Sequence, residues 1–156
     1  MNALLHEFYG EMIPMVARAS GPDVPIAAAV QDFWDHVDDF LPPRGCLCIA
    51  RTPDGRAVGC GSLSEIDPHV GELKRLYVRD AMRGTGLGRA LVDRRIDAAR
   101  AMGLRTLLVD TISINTPMQR LYDSIGFRRI DAFAQSSTLR AFPDLHDTMV
   151  FYRMDL

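Results

Sequence analysis

The 156-residue chain has little cysteine: Cys46, Cys48 and Cys60 are all it contains. An odd count with no secretory leader excludes a disulfide framework as the basis of the fold and points to a reducing, cytoplasmic setting. Cys46 and Cys48 lie in an apolar, strand-like run with no second pair and no clustered histidines, so core packing is expected of them and metal binding is not. No apolar run approaches the ~18 residues of a membrane span. Charge of one sign is also lacking. Lys and Arg number 18 and Asp and Glu 20, a net charge of -2, which offers no global attraction for nucleic acid or an anionic membrane. Internal repeats and low-complexity linkers are missing, so a single domain over 1–156 is expected. His6, His36 and His146 stand at no catalytic spacing, and His69, in Asp67-Pro68-His69, reads as an exposed turn residue.

Two nucleotide signatures are absent as well. There is no G-x-x-x-x-G-K-[ST] run, and the glycines near residue 86 fail the G-x-G-x-x-G spacing. What is present is a strand, a glycine turn and a helix between Glu72 and Met102. Leu73, Leu76, Tyr77 and Val78 read as the strand. Arg83-Gly84-Thr85-Gly86-Leu87-Gly88 is the turn. Leu87, Leu91, Ile96, Ala99 and Met102 give the following helix one apolar face, and Gly103 closes it. The first N–H groups of a helix have no internal partner and carry the positive end of its dipole. Glycines let the backbone approach an anion without Cβ interference. A phosphate-bearing ligand is therefore expected at 83–89. Residues 74–105 hold nine basic side chains against three acidic ones, which suits an anionic ligand; Arg94, Arg95 and Arg100 read as a solvated helix face.

Elsewhere, apolar spacing predicts a helix over 3–19, broken by Ser20-Gly21-Pro22. A second helix is predicted from Val24 to Leu41, with Ile26, Val30, Phe33, Trp34 and Val37 inward. Strands are predicted at Cys46–Arg51, Ala57–Ile66, Val70–Val78, Thr106–Thr111, Phe127–Phe133 and Thr148–Leu156. Asn115-Thr116-Pro117 opens a further helix, with Asn115 as its cap and Met118, Leu121, Tyr122 and Ile125 inward. Residues 134–147 show no pattern.

The R-x-x-G-x-G spacing of Arg83, Gly86 and Gly88, with Leu-Lys-Arg-Leu-Tyr-Val before it and Gly-Arg-Ala-Leu-Val after it, resembles the acyl-coenzyme A signature of the GCN5-related N-acetyltransferases. Asn115-Thr-Pro-Met-Gln-Arg-Leu-Tyr122-Asp-Ser-Ile-Gly126-Phe127 is similar to that superfamily's second motif. The resemblance covers roughly residues 45–156. It implies an α/β fold of the α+β type: a mixed, mostly antiparallel sheet of six to seven strands, splayed at the acyl-coenzyme A site, with helices on both faces. The family's usual first strand has no counterpart before the opening helix, so that strand is absent or the start is truncated.

The resemblance further implies transfer of an acetyl group from acetyl-coenzyme A to a primary amine of a small molecule or peptide, without metal. Phosphates would meet Arg83, Gly84, Thr85, Gly86, Leu87, Gly88 and Arg89. Pantetheine amides would pair with main chain at Leu76, Tyr77 and Val78 and meet Asn115. Tyr122 resembles the general acid. Glu72 is the candidate base, its alternative being an ion pair with Lys74; Glu65 and Asp110 rank below it. The acceptor pocket would lie between the first two helices and the last strands, where Glu7, Glu11, Asp32, Asp35, Asp38 and Asp39 suggest an acidic rim. Two alternatives stay open, a coenzyme A-binding module without turnover and a different acceptor or acyl donor. A homodimer is compatible with the pattern; nucleic-acid and membrane partners are not expected.

Overall fold

The computed structural model describes residues 1–19 and 23–156, so the predicted break at Ser20-Gly21-Pro22 lies outside the described residues. The chain begins with helices α1 (Asn2–Arg18) and α2 (Ile26–Asp35). Period-two patterning then builds β1 (Gly45–Arg51), β2 (Ala57–Asp67) and β3 (Val70–Val78), paired antiparallel in sequence. Helix α3 (Leu87–Ala101) returns the chain so that β4 (Thr106–Ile112) runs parallel to β3. Helix α4 (Thr116–Ile125), β5 (Arg128–Ile130), α5 (Ser137–Ala141) and β6 (Met149–Asp155) complete the order. The sheet has six strands, β1-β2-β3-β4-β6-β5, with every neighbour antiparallel except β3 and β4.

Helices cover both faces. Leu63, Leu73, Leu107 and Tyr152 pack beneath α3 and α4 in the main core. On the other face Leu5, Val30, Phe33 and Phe40 form a cluster under α1 and α2, and Leu4 packs on Cys60 and Tyr77. Each fully buried leucine contributes about 2 kcal/mol relative to exposure.

The second predicted helix is shorter than expected. It ends at Asp35, and a 3₁₀ turn follows over Val37–Phe40. His36 explains the break, because its Nδ1 bonds the Asp32 carbonyl at 2.8 Å, where the next turn's N–H would have gone. Trp34, predicted inward, is 39% exposed, with its indole N–H on Asn2 Oδ1 at 3.1 Å. The predicted strand at Phe127–Phe133 shrinks to three paired residues at the sheet edge. The unpatterned stretch 134–147 forms α5 and a 3₁₀ turn over Pro143–Thr148.

Two irregularities in β3 shape the surface it presents. Its pairing with β4 stops at Leu73 against Val109, although β3 continues to Val78 and β4 to Ile112. The sheet therefore splays there, leaving Lys74 to Val78 with no strand partner on the β4 side. In addition, a bulge separates the Cys60–Tyr77 pair from the Ser62–Lys74 pair, so Gly61 opposes both Arg75 and Leu76. Arg75 takes φ 54° to make it. As a result Leu73 and Leu76 share the α3 face, and the consecutive cations Lys74 and Arg75 both line a cavity on the opposite face.

The bulge also accounts for Arg95, which is fully buried and not on a solvated face. Its Nε donates to Leu91 O at 3.0 Å, and its Nη1 to Ser62 O at 3.1 Å and Lys74 O at 3.3 Å. Gly61 makes room for it: a Cβ there would stand 2.8 Å from the guanidinium carbon. Arg94 and Arg100 are exposed, as expected.

Candidate functional site

The turn before α3 is built by glycine. Gly84 and Gly86 have φ of 77° and 87°, a region that favours glycine, and Gly86 is the N-cap of α3. Of the first helical turn, whose leading N–H groups have no partner within the helix, Gly88 lines a groove of about 410 Å³. Of the residues expected at the cofactor, Leu76, Tyr77, Val78, Arg83, Gly84, Gly88 and Asn115 line this groove; Thr85, Gly86, Leu87 and Arg89 do not. Thr85 Oγ1 donates to Met82 O at 2.7 Å, which closes the turn. Leu87 packs into the core, and Arg89 points to Asp93 and the Ser124 carbonyl. Arg83 spans the mouth, with Nη2 on both oxygens of Glu11 at 2.8 and 2.7 Å and Nε on Val78 O at 3.0 Å. Asn115 occupies the N-cap of α4 but its side chain makes no capping hydrogen bond, contrary to expectation; it lines the groove instead.

A second cavity, of about 540 Å³, lies on the other side of the splay. It shares Phe8, Met12, Leu76, Asn115 and Met118 with the groove, so the two meet along a common wall. Tyr122 lines this cavity close to that junction. It projects from α4, packs on Phe127 and Tyr152, and is 3% exposed. Burial pushes its phenol up to about 12, against a smaller opposing pull from the Arg95 guanidinium.

The expected base, Glu72, is placed differently. It is 1% exposed and does not line the cavity. Its Oε1 accepts from Lys74 Nζ at 3.5 Å and from Ser137 N at 3.3 Å, which is the ion-pair alternative. Two carboxylates line the cavity, the exposed Asp32 and Asp110, and Asp110 is held by Lys74 Nζ at 3.2 Å and by Ser136 Oγ at 2.8 Å. Burial pulls the Lys74 ammonium down, but Asp110 and Glu72 outweigh it and hold the group above the ordinary lysine value. Lys74 Nζ also donates to Thr138 Oγ1 at 2.6 Å.

The acidic rim is mostly engaged elsewhere. Glu7 is paired with Arg79 at 2.6 Å and Glu11 with Arg83; among the six acids only Asp32 lines the cavity. The floor and far wall come instead from residues that sequence reasoning missed: Ser137, Thr138, Phe142 and Leu145 from α5 and the turn after it. One signal was available. Ser136 accepts from Leu139 N at 3.2 Å, an N-cap bond that a Ser-Ser-Thr run could have announced. Among the described residues no group of three or more His, Cys, Asp or Glu is placed to hold a metal ion.

Comparison with known proteins gives the family and the fold. The acetyltransferase (GNAT) family profile matches residues 11–127. An uncharacterised N-acetyltransferase of Schizosaccharomyces pombe is 37% identical over 109 residues, 64% of this chain and 67% of the relative. Against other curated relatives the match spans only about half of the relative's length. Among solved structures, an acetyltransferase from Streptococcus agalactiae superposes with a TM-score of 0.74 at 25% identity, covering 99% of this chain and 91% of the other. A GNAT acetyltransferase from Elizabethkingia anophelis, solved with acetyl-coenzyme A bound, gives 0.62 at 23% identity, over 78% and 82% of the two chains.

Proposed function

Because the chain belongs to the acetyltransferase (GNAT) family, we propose that it acts as a single domain to move an acetyl group from acetyl-coenzyme A to a primary amine, by direct attack in a ternary complex. The observation that carries this reading is the junction at the splayed strands. A groove lined by the glycine turn and a separate cavity meet at Leu76, Asn115 and Met118, beside Tyr122. A fold neighbour that holds acetyl-coenzyme A supports the donor.

In this reading the phosphates lie at the start of α3, where Gly84 and Gly88 line the groove. The pantetheine arm extends along the unpaired edge of β3 at Leu76 to Val78, as an added strand. An N–H near Val78 polarises the thioester carbonyl. The amine nitrogen attacks that carbon, the C–N bond forms, the nitrogen gives up a proton to solvent, and the C–S bond breaks to release a thiolate. With Tyr122 at about 12 and a free thiol near ~8.5, full proton transfer from the phenol is uphill by ~3.5 units, roughly 5 kcal/mol. Tyr122 therefore serves as a hydrogen-bond donor to the thiolate, which takes its proton from solvent as the product leaves.

The amine must first lose a proton. An alkylamine of pKa ~10.4 is about 0.1% neutral near pH 7.4. Asp110, rather than Glu72, is the carboxylate on the sheet side of the cavity, and we assign it to receiving the ammonium form and handing its proton to water. Three free thiols, one of them buried, support a reducing, cytoplasmic setting.

The test is thiol release from acetyl-coenzyme A over a panel of primary amines, with calorimetric binding of coenzyme A measured in parallel. Turnover with at least one amine is expected. Tight coenzyme A binding without turnover on any amine would point to a binding module, and no binding at all would sink the reading.

A further inference from the structure

We propose that the acceptor carries a carboxylate next to its amine, and that Arg75 binds it; the substrate class is an amino acid with an apolar side chain. This rests on the reading of the chain as an N-acetyltransferase and names the acceptor of that same site.

The bulge in β3 is the starting point. It sets two consecutive cations, Lys74 and Arg75, against one cavity. Their charges have different fates. Lys74 is neutralised by Glu72 and Asp110. Arg75 has no carboxylate within ion-pair distance among the described residues, although it is only partly exposed. It is instead held rigid. Its Nε donates to Tyr9 Oη at 3.1 Å, and its guanidinium carbon sits 5.1 Å from the Phe33 ring centre and 4.6 Å from that of Phe40. These contacts fix the plane and use one nitrogen. The two Nη nitrogens donate to no described residue and are not sealed from solvent.

A partly buried guanidinium with no anion beside it is open to one, and its planar fork matches a carboxylate. Stacking on two rings also removes most of the rotamer freedom that binding would otherwise have to freeze. The charge balance selects the ligand further. Glu72, Lys74, Arg75 and Asp110 together sum to zero, so the cavity accommodates a zwitterion without net repulsion, its ammonium at Asp110 and its carboxylate at Arg75. A phosphate would bring two negative charges to one surplus cation. Asp32, at the outer edge, is exposed and beside His36, so solvent screens it. Thr111, Asn115, Ser137 and Thr138 add polar groups, but Phe8, Met12, Ile13 and Phe142 form apolar wall that suits an aliphatic or aromatic side chain.

The test compares three acceptors of one shape in the thiol-release assay: leucine, leucine amide and isoamylamine, with phenylalanine, its amide and phenethylamine as a second set. Leucine or phenylalanine is expected to exceed its amide and its decarboxylated amine by about 10- to 100-fold in kcat/KM, mainly through KM. In Arg75→Gln that ratio should collapse towards one, and Arg75→Lys should retain part of it. Equal use of amide and amino acid by the wild-type protein overturns the inference and leaves the transferase reading intact. That comparison needs no variant, so it stands even if Arg75→Gln does not fold. A ratio unchanged in a folded Arg75→Gln also overturns it. No thiol release from any of the six compounds, nor from the wider amine panel, overturns the transferase reading and the inference with it.

Discussion

Tyr122 illustrates how burial sets the chemistry of a single side chain. A phenol raised to about 12 keeps its proton across the working range. The turnover rate should therefore climb with pH as the amine deprotonates, with no descending limb below about pH 10 from this group. The sign for stability comes from the same shift. Tyr122 stabilises the fold fully below its unfolded value near ~10, and that contribution is lost as the pH rises towards 12. Tyr122→Phe is expected to slow the single-turnover rate about 100-fold while coenzyme A affinity changes little, since the hydrogen bond strengthens only as thiolate charge develops. A mutant whose chemical step matched wild type would reduce Tyr122 to a packing residue. Lys74 makes a second prediction at this scale. Lys74→Met leaves Glu72 and Asp110 buried together without their cation, so denaturant unfolding should show a loss of about 3–5 kcal/mol.

At the scale of elements, the contact between α3 and the sheet depends on glycines that serve different ends. Gly61→Ala would put a Cβ 2.8 Å from Arg95, whose guanidinium is locked by strand carbonyls and cannot swing away. A cost of about 1–3 kcal/mol is expected by urea titration, with the bulge disturbed as well. Gly88 has ordinary helical backbone, and a Cβ there would stand 3.7 Å from Leu121 and 3.9 Å from Val78, at the groove wall. Gly88→Val should therefore fold normally and weaken coenzyme A binding at least tenfold by calorimetry. An unchanged affinity would remove the groove from consideration as the cofactor site. Gly86 would report less cleanly, because its φ of 87° makes any side chain there strained.

At the scale of the molecule, the three cysteines lie on the first two strands, with Cys46 and Cys48 sulfurs 3.5 Å apart and Cys60 buried. Burial pushes Cys48 and Cys60 up to about 11, so neither is a reactive thiolate near neutrality. Mass spectrometry of protein prepared without oxidant should find three free thiols; a Cys46–Cys48 disulfide would contradict the proposed reducing setting.

What was legible in the sequence is local or periodic. The limits of β3, the glycine turn and the apolar faces of α3 and α4 come from backbone sterics and repeat spacing, and the family resemblance carried by the two motifs implied the splayed sheet. Tertiary structure decided what depends on which partner is near. It buried Arg95, because only the bulge and Gly61 open a space with free carbonyls for a guanidinium. It moved the cavity carboxylate from Glu72 to Asp110, because α5 folds over Glu72 and Ser136 orients Asp110. It also turned Lys74 and Arg75 to one face, since a one-residue slip in a strand reverses every side chain beyond it, and strict alternation read from sequence carries no sign of where that slip occurs.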